Sequence, residues 1–358
     1  MKFSVCIPNY NYEAYLGRTI ESILNQSYQD FEILVADNAS TDRSVDVIKS
    51  FGDPRIRLQV NACNVGFAGN LDRVARMATG DAMIMLSSDD MMRPNALATY
   101  RAVWQALGES GRRCFISSAF DVIDSDDRLT GRIGPDASLW TDANRVPDLD
   151  QAAGGPVYSV DGPELLRRAL LSFKNPCSFL ATSYPRPLYE AIEGYGGGRL
   201  INPDKWFHWR LLGVADRALF IDQPLFAYRW HPSNQSAQET ASGALKFLVD
   251  DYAATLELEN NLLSRIGLTR DAVARAYVEH DIAGHGLATL ARGHRQRARR
   301  ILHFGKAAYP QHVRKSRNAW LLTSLLAMGP VGQKVAQVAY RSYGRYWGSG
   351  RGRTEVLK

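Results

Sequence analysis

The first ninety or so residues alternate between short apolar runs and segments with helical spacing, and that alternation constrains the fold more than anything else in the chain. Phe3-Ser4-Val5-Cys6-Ile7-Pro8, Phe31-Glu32-Ile33-Leu34-Val35-Ala36, Ile56 to Val60 and Met83-Ile84-Met85-Leu86 have the length and apolar content of strands. Between them, Leu16, Ile20, Ile23 and Leu24 recur at helical spacing. So do Val45, Val47 and Ile48 behind a Thr41-Asp42 cap, and Leu71, Val74 and Met77. Strand–helix repetition of this kind predicts a mainly parallel, doubly wound α/β sheet.

Each predicted strand runs out into polar residues, and in open α/β sheets ligands sit beyond the carboxyl ends of the strands. The fourth exit, Ser87-Ser88-Asp89-Asp90, is the most pointed. Two adjacent carboxylates concentrate negative charge. Hard oxygen ligands suit Mg²⁺ or Mn²⁺, ions that often bridge protein carboxylates to substrate phosphates. A solvated loop after a core strand is the plain alternative.

Taken in order, Ser4-Val5-Cys6-Ile7-Pro8-Asn9-Tyr10-Asn11, Ile33 to Asp42, Asn64-Val65-Gly66-Phe67-Ala68-Gly69-Asn70 and Ser88-Asp89-Asp90 resemble glycosyltransferase family 2. The resemblance covers about the first 235 residues and rests on several ordered motifs. It implies a nucleotide-sugar-binding GT-A fold and transfer with inversion at the anomeric carbon.

The resemblance also implies roles. Asp37 matches a carboxylate that accepts a hydrogen bond from the uracil N3–H, although Asn38 and Ala39 stand where the family often has Asp and Gly. Its alternative role is a turn or cap. Pro8, Asn9 and Tyr10 match the segment lining the nucleoside, and Asn70 a polar position near the nucleotide. Asp90 matches the ligand of a divalent ion, Mn²⁺ or Mg²⁺, and Asp89 a partner of the ribose or of a metal-bound water. Ser87 occupies a place that is often acidic. Asp204, in Asn202-Pro203-Asp204-Lys205-Trp206-Phe207-His208-Trp209, matches the general base, with Pro203 where a Glu often stands. Asp204 also reads as a helix cap, and both roles are compatible. Trp206, Phe207 and Trp209 suit either a stacking platform for an acceptor sugar or the apolar face of that helix. In Tyr228-Arg229-Trp230-His231, Arg229 is a candidate phosphate contact. His231 is a candidate for the metal shell or the diphosphate, or else a surface histidine.

The bulk numbers fit a folded enzyme with one large and one smaller domain: 358 residues, 45% hydrophobic, 43 Lys and Arg against 37 Asp and Glu. Cys6, Cys63, Cys114 and Cys177 are scattered, which argues for a reducing compartment. With the first strand starting at residue 3 and no apolar run of spanning length, neither a signal peptide nor a spanning helix is expected.

The expected organisation is a GT-A-like catalytic domain over 1–240, with a polar insertion at about 124–160 lying over the acceptor side, and a helical basic region over 241–358. Leu256 to Ile266, Ala274–Leu290 and His294–Phe304 carry the helical pattern there. Arg292, Arg295, Arg297, Arg299, Arg300, Arg314, Lys315, Arg317, Arg341, Arg345, Arg351 and Arg353 surround Trp320, Leu321, Leu322, Leu325 and Leu326. Such a mixture suits contact with an anionic membrane surface, or a solvated face packed on the catalytic domain. No nucleic-acid motif accompanies the charge.

The expected activity is metal-dependent inverting transfer from a nucleotide diphosphate sugar, a UDP-sugar by resemblance. The acceptor is a hydroxyl of a glycan or lipid-linked oligosaccharide in surface polysaccharide synthesis. The expected place is the cytoplasm, peripheral at the inner face of the membrane. Three other functions share these features: a membrane-docking module in which the basic tail is the main function, a non-catalytic nucleotide-sugar-binding scaffold and a sugar-phosphate nucleotidyltransferase. The last of these usually has a glycine-rich basic N-terminal loop, which Pro8-Asn9-Tyr10-Asn11 lacks.

Overall fold

A computed structural model describes residues 1–196, 200, 203–234 and 245–347, with side chains of the last helix to Arg341. Gly197, Gly198, the expected boundary at 240/241, the Arg345 side chain, Arg351 and Arg353 lie outside the described residues. The chain forms two compact units, Met1–Leu165 with Asn175–Ala237, and Leu166–Lys174 with Gln238–Arg351.

The first unit begins β1 (Phe3–Asn9), α1 (Glu13–Leu24), β2 (Phe31–Asp37), α2 (Ser44–Ser50), β3 (Ile56–Val60), α3 (Phe67–Arg76), β4 (Ala82–Met85). It continues through β5 (Met91–Met92), α4 (Ala96–Leu107), β6 (Cys114–Ile123), β7 (Leu129–Ile133), α5 (Asp150–Ala153), β8 (Val157–Asp161) and α6 (Gly162–Ser172). It closes with β9 (Thr182–Pro185), α7 (Arg186–Ala191), α8 (Asp204–Val214) and β10 (Arg217–Arg229). One sheet holds all ten strands in the order β3-β2-β1-β4-β9-β6-β10-β5, with β7 on β6 and β8 on β10.

The first four strands are parallel, with Asn9 opposite Asp37 at their carboxyl end. β1 and β2 are buried along their whole length, which is why both read as near-continuous apolar runs. β3 is the half-exposed edge, carrying Arg57 and Gln59. The doubly wound expectation needs one amendment. β9 is antiparallel to both β4 and β6, so the sheet becomes mixed at its middle.

The 124–160 segment is more ordered than a polar excursion. It supplies β7 and β8 to the sheet and buries Leu139 and Trp140. The Trp140 indole donates to the Pro176 carbonyl at 3.1 Å, tying this segment to the loop before β9.

The second unit takes the end of α6 and is otherwise helical. It contains α9 (Leu245–Glu257), α10 (Asn260–Arg265), α11 (Arg270–Tyr277), a wider π-type turn (Val278–Gly284), α12 (His285–Ala291), α13 (Arg295–Ala308), α14 (Pro310–Lys315), α15 (Arg317–Ala327) and α16 (Gly329–Trp347). Tyr277 anchors it. Its ring meets Phe173 at 5.2 Å and Tyr309 at 5.8 Å, and its hydroxyl donates to the Leu248 carbonyl at 2.7 Å. The Phe173 contact explains why residues 166–174 join this unit.

Candidate active site

Three strand exits lie side by side at the carboxyl edge of the parallel strands. Those after β1 and β2 form a closed polar clamp. Asp37 is fully buried. Its Oδ1 accepts from the Ser40 amide at 2.9 Å, and its Oδ2 accepts from Asn9 Nδ2 at 2.8 Å and Ser40 Oγ at 2.6 Å. Asn38 accepts from Asn61 Nδ2 and the Val65 amide and donates to Asn64 Oδ1. Asn70 donates to the Ala36 carbonyl at 2.8 Å and accepts from Asn61 at 2.8 Å. Pro8 contributes its carbonyl, which accepts from Ser88 Oγ at 2.9 Å.

These contacts bear on two expectations. Asp37 has no exposed oxygen for a uracil N3–H, and Asn70 spends its amide inside the protein. Both hold strand ends together, because an unpaired polar group buried here would cost about 1–3 kcal/mol. One feature of the clamp remains open to a ligand. Tyr10 is 42% exposed at its rim. Asn9 Oδ1 is buried without a hydrogen-bond partner.

The acidic turn after β4 is built differently. Asp89 and Asp90 are both buried. Asp90 Oδ1 accepts from the Arg229 amide at 2.9 Å, and its carbonyl accepts from Thr19 Oγ1 at 2.8 Å. Burial and then the neighbouring Asp89 charge push the Asp90 carboxyl well above the usual range. Asp89 Oδ2 faces His231 Nε2 at 3.0 Å, and His231 Nδ1 meets Ser233 Oγ at 2.9 Å. The imidazole lies on Tyr15, with centroids 4.5 Å apart. His231, a candidate for the metal shell or the diphosphate by resemblance, thus lies buried against Asp89.

Arg229 is also corrected. Its side chain is fully buried, Nε donates to the Asp89 carbonyl at 2.8 Å, and Nη1 pairs with Asp127 and the Asp124 carbonyl. The expected phosphate contact gives way to a latch that sets the acidic turn.

Several participants escaped the sequence reading. Tyr15, Thr19 and Ser22 of α1, with Gln26 just beyond its end, follow one another at helical spacing. Thr19 Oγ1 reaches the Ser88 carbonyl at 2.9 Å, Ser22 Oγ accepts from the Met92 amide, and Gln26 donates to the Arg93 carbonyl. Polar residues at helical spacing among the apolar ones of this helix were the available signal. Tyr12 packs edge-on to His231, and burial with the Asp89 and Asp90 charges pushes its hydroxyl up, so it stays a neutral donor. Asp127, at positive φ in the turn before β7, binds Arg18 at 2.9 Å as well as Arg229.

Asp204 starts α8. Its Oδ2 accepts from Asn175 Nδ2 at 3.2 Å, and Asn175 Oδ1 meets His208 Nδ1 at 2.9 Å. Burial pushes His208 down to about 3, so the ring is neutral, and because the amide oxygen can only accept, Nδ1 carries the proton. Residues 175–181 lead into β9, whose start pairs with the end of β4, which brings this group to the same edge of the sheet as the acidic turn. Of the three aromatic rings once considered for acceptor stacking, Phe207 and Trp209 are core. Phe207 stacks on Tyr195 at 4.1 Å. Trp206 is half-buried under the Arg210 guanidinium. Gly194 precedes this stack at φ +75°, where a Cβ would lie 2.6 Å from Asp72 Oδ1.

Among the described residues no group of three or more His, Cys, Asp or Glu side chains converges on one point. Asp89 and His231 nevertheless fit a divalent ion held partly by a ligand. One hard oxygen and one imidazole face each other across 3.0 Å, and the rest of a shell would come from diphosphate and water.

Comparison with known proteins agrees with this geometry. Residues 4–139 match the model of glycosyl transferase family 2. The glycosyltransferase GlyG of Streptococcus pneumoniae is 30% identical over 233 residues, 63% of this chain and 70% of that protein. An Escherichia coli protein named UDP-Glc:alpha-D-GlcNAc-diphosphoundecaprenol beta-1,3-glucosyltransferase WfgD is 35% identical over 94 residues, 26% of this chain and 37% of its own length. In fold, a crystal structure of S. aureus TarS in complex with UDP-GlcNAc superposes with a TM-score of 0.60 at 16% identity, covering 96% of this chain and 92% of that one. The chain is a glycosyltransferase and belongs to family 2.

Proposed function

We propose that this glycosyltransferase moves a hexose from a UDP-sugar to a hydroxyl of a glycan or lipid-linked oligosaccharide, with inversion and with Mn²⁺ or Mg²⁺ as cofactor. The observation that carries this reading is the Asp89–His231 pair, buried at the carboxyl edge and latched by Arg229. The names of the E. coli relative and of the TarS complex support the UDP-sugar, and the former supports a lipid-linked acceptor. Nucleotide sugars are cytoplasmic metabolites, so the reaction is assigned to the cytoplasm. No helix among the described residues is long and apolar enough to cross a membrane.

In this mechanism the base of the nucleotide lies against Tyr10 at the exposed rim of the clamp. Asp89 and His231 would hold the ion, which supplies charge neutralisation for the departing diphosphate. Asp90 keeps the turn in place. Asp204 takes the proton of the acceptor hydroxyl as it attacks in line. Asn175 and His208 are positioning residues. The neutral imidazole donates to the amide oxygen, which turns the amide nitrogen toward Asp204 and holds the carboxylate in one rotamer.

Calorimetric titration with UDP, GDP and dTDP, each with Mn²⁺ and then with EDTA, tests the donor side. UDP binding that requires the ion is expected. Preference for another nucleotide would overturn the base assignment, and equal binding in EDTA would overturn the ion.

A further inference from the structure

The helical unit has a surface that the transfer step proposed above does not invoke. Residues 282–354 contain 14 Lys and Arg and no Asp or Glu, while residues 1–281 carry 36 acidic residues against 28 basic ones. The charge of the chain is therefore segregated, a pattern hidden by the modest overall +6.

Structure concentrates part of this charge in a groove. On α13, Arg299, His303 and Lys306 follow one another at i, i+4 and i+7, all exposed. With Leu302 they form one wall of a depression of ≈ 240 Å³, and Thr323, Leu326 and Ala327 of α15 form the other. Leu302 and Leu326 are buried and make an apolar floor. Trp320, one turn before Thr323 on the same face of α15, is 69% exposed. The next helix repeats the theme. α16 lies against α15 through Gly332, where a Cβ would come 1.9 Å from the Leu325 carbonyl oxygen. That contact leaves Val331, Val335 and Val338 outward beside the exposed Lys334 and Arg341.

A solvated basic face would explain the cations but not the exposed indole and valines. A free anion has the same shortcoming. A second copy would bring two strongly cationic units together. An anionic bilayer satisfies both the charge and the apolar surface.

We propose that the helical unit docks on an anionic phospholipid surface, seating headgroup phosphates in the α13–α15 groove between Arg299, His303, Lys306 and Thr323, with the Trp320 indole at headgroup depth. This interaction does not depend on the identity of the donor sugar or on the base assigned to the transfer step.

The test is flotation of the full chain with vesicles of phosphatidylcholine, with and without phosphatidylglycerol. The protein should float only with the anionic vesicles and be released by high salt. The Arg299→Glu/Lys306→Glu variant should partition about 30-fold less or worse, and Trp320→Ala several-fold less. Unchanged melting and unchanged UDP titration would show that both variants fold, and the milder Arg299→Gln/Lys306→Gln pair should show the same trend. Failure of the wild type to float, equal flotation with neutral vesicles, or full flotation of the charge-reversed variant would each overturn the proposal. Loss confined to a Val331→Asp/Val335→Asp variant would overturn the groove as the site. Self-association abolished by Trp320→Ala, without vesicle binding, would identify the surface as a contact between copies instead.

Discussion

Glu32 and Asp90 are both buried carboxylates on the parallel strands, at opposite ends of the sheet, and their surroundings push them in opposite directions. Burial opposes ionisation of Glu32. Hydrogen bonds from Ser4 Oγ at 2.6 Å, the Thr79 amide at 2.7 Å and Lys2 Nζ at 3.1 Å outweigh it and bring the carboxyl down to about 2. Asp90 receives one backbone donor and faces the Asp89 charge, and it is pushed up. The amino edge surrounds its acid with donors and gains stability. The carboxyl edge crowds two acids together and keeps the cost, the arrangement expected where a cation is to be met.

The contrast predicts where substitutions will strike. The largest effect belongs to Asp204→Asn, expected to lower kcat by about 10³-fold with UDP affinity unchanged; intact turnover in a transferase assay would remove Asp204 from the base role. At the amino edge, a folded value near 2 against an unfolded value near 4.3 places the Glu32 contribution fully above about pH 4.3. It is lost as pH falls toward 2, about 3 kcal/mol in all. Urea unfolding of wild type and Glu32→Gln across that window should show a larger loss in the wild type, because Asp53 and other lowered carboxylates act in both.

Asp89→Asn should weaken ion-dependent UDP binding by about 10–100-fold in calorimetry. Asp90→Asn should act mainly on melting temperature, and the reverse result would return the ligand role to Asp90. Asp37→Ala sits at the carboxyl edge yet should behave like an amino-edge change, costing about 2 kcal/mol in urea by stranding Asn9 and the Ser40 amide. Loss of UDP affinity at unchanged stability would restore it to the base. Asn175→Ala should be mildest, about 10-fold in kcat/KM. Removal of a donor to the carboxylate should raise the pKa of the base, so the acid limb of the pH profile should move up. A drop in rate with no shift would leave Asn175 a purely structural part.

The sequence made the strand–helix order and the acidic turn legible because both depend on local pattern. It concealed which way polar side chains face. Asp37 and Asn70 stand at loop positions that look ligand-facing, and both turn inward because strand ends packed side by side must satisfy one another's backbone and amide groups. Arg229 looked like a phosphate contact for the same reason, since nothing local announces Asp127 across 102 residues. β9 is four residues long, and its antiparallel insertion between β4 and β6 is a tertiary choice without a local signature. Phe207 and Trp209 alternate with Lys205, His208 and Arg210, which blurred core and surface on α8 until Tyr195 supplied the partner.

The Arg229 latch has a consequence for how the protein is made. The acidic turn and the residue that sets it are 139 positions apart. At ordinary synthesis rates of roughly 5–20 residues per second, Arg229 is added about 7–28 s after Asp90. Well before that interval ends the whole segment matched by the family model has been made, yet its carboxylates lack the strand that holds them. A fragment ending after β6 would carry every donor-side motif and still be unable to form the site. The binding centre is therefore completed late in translation, by the last strand of the sheet.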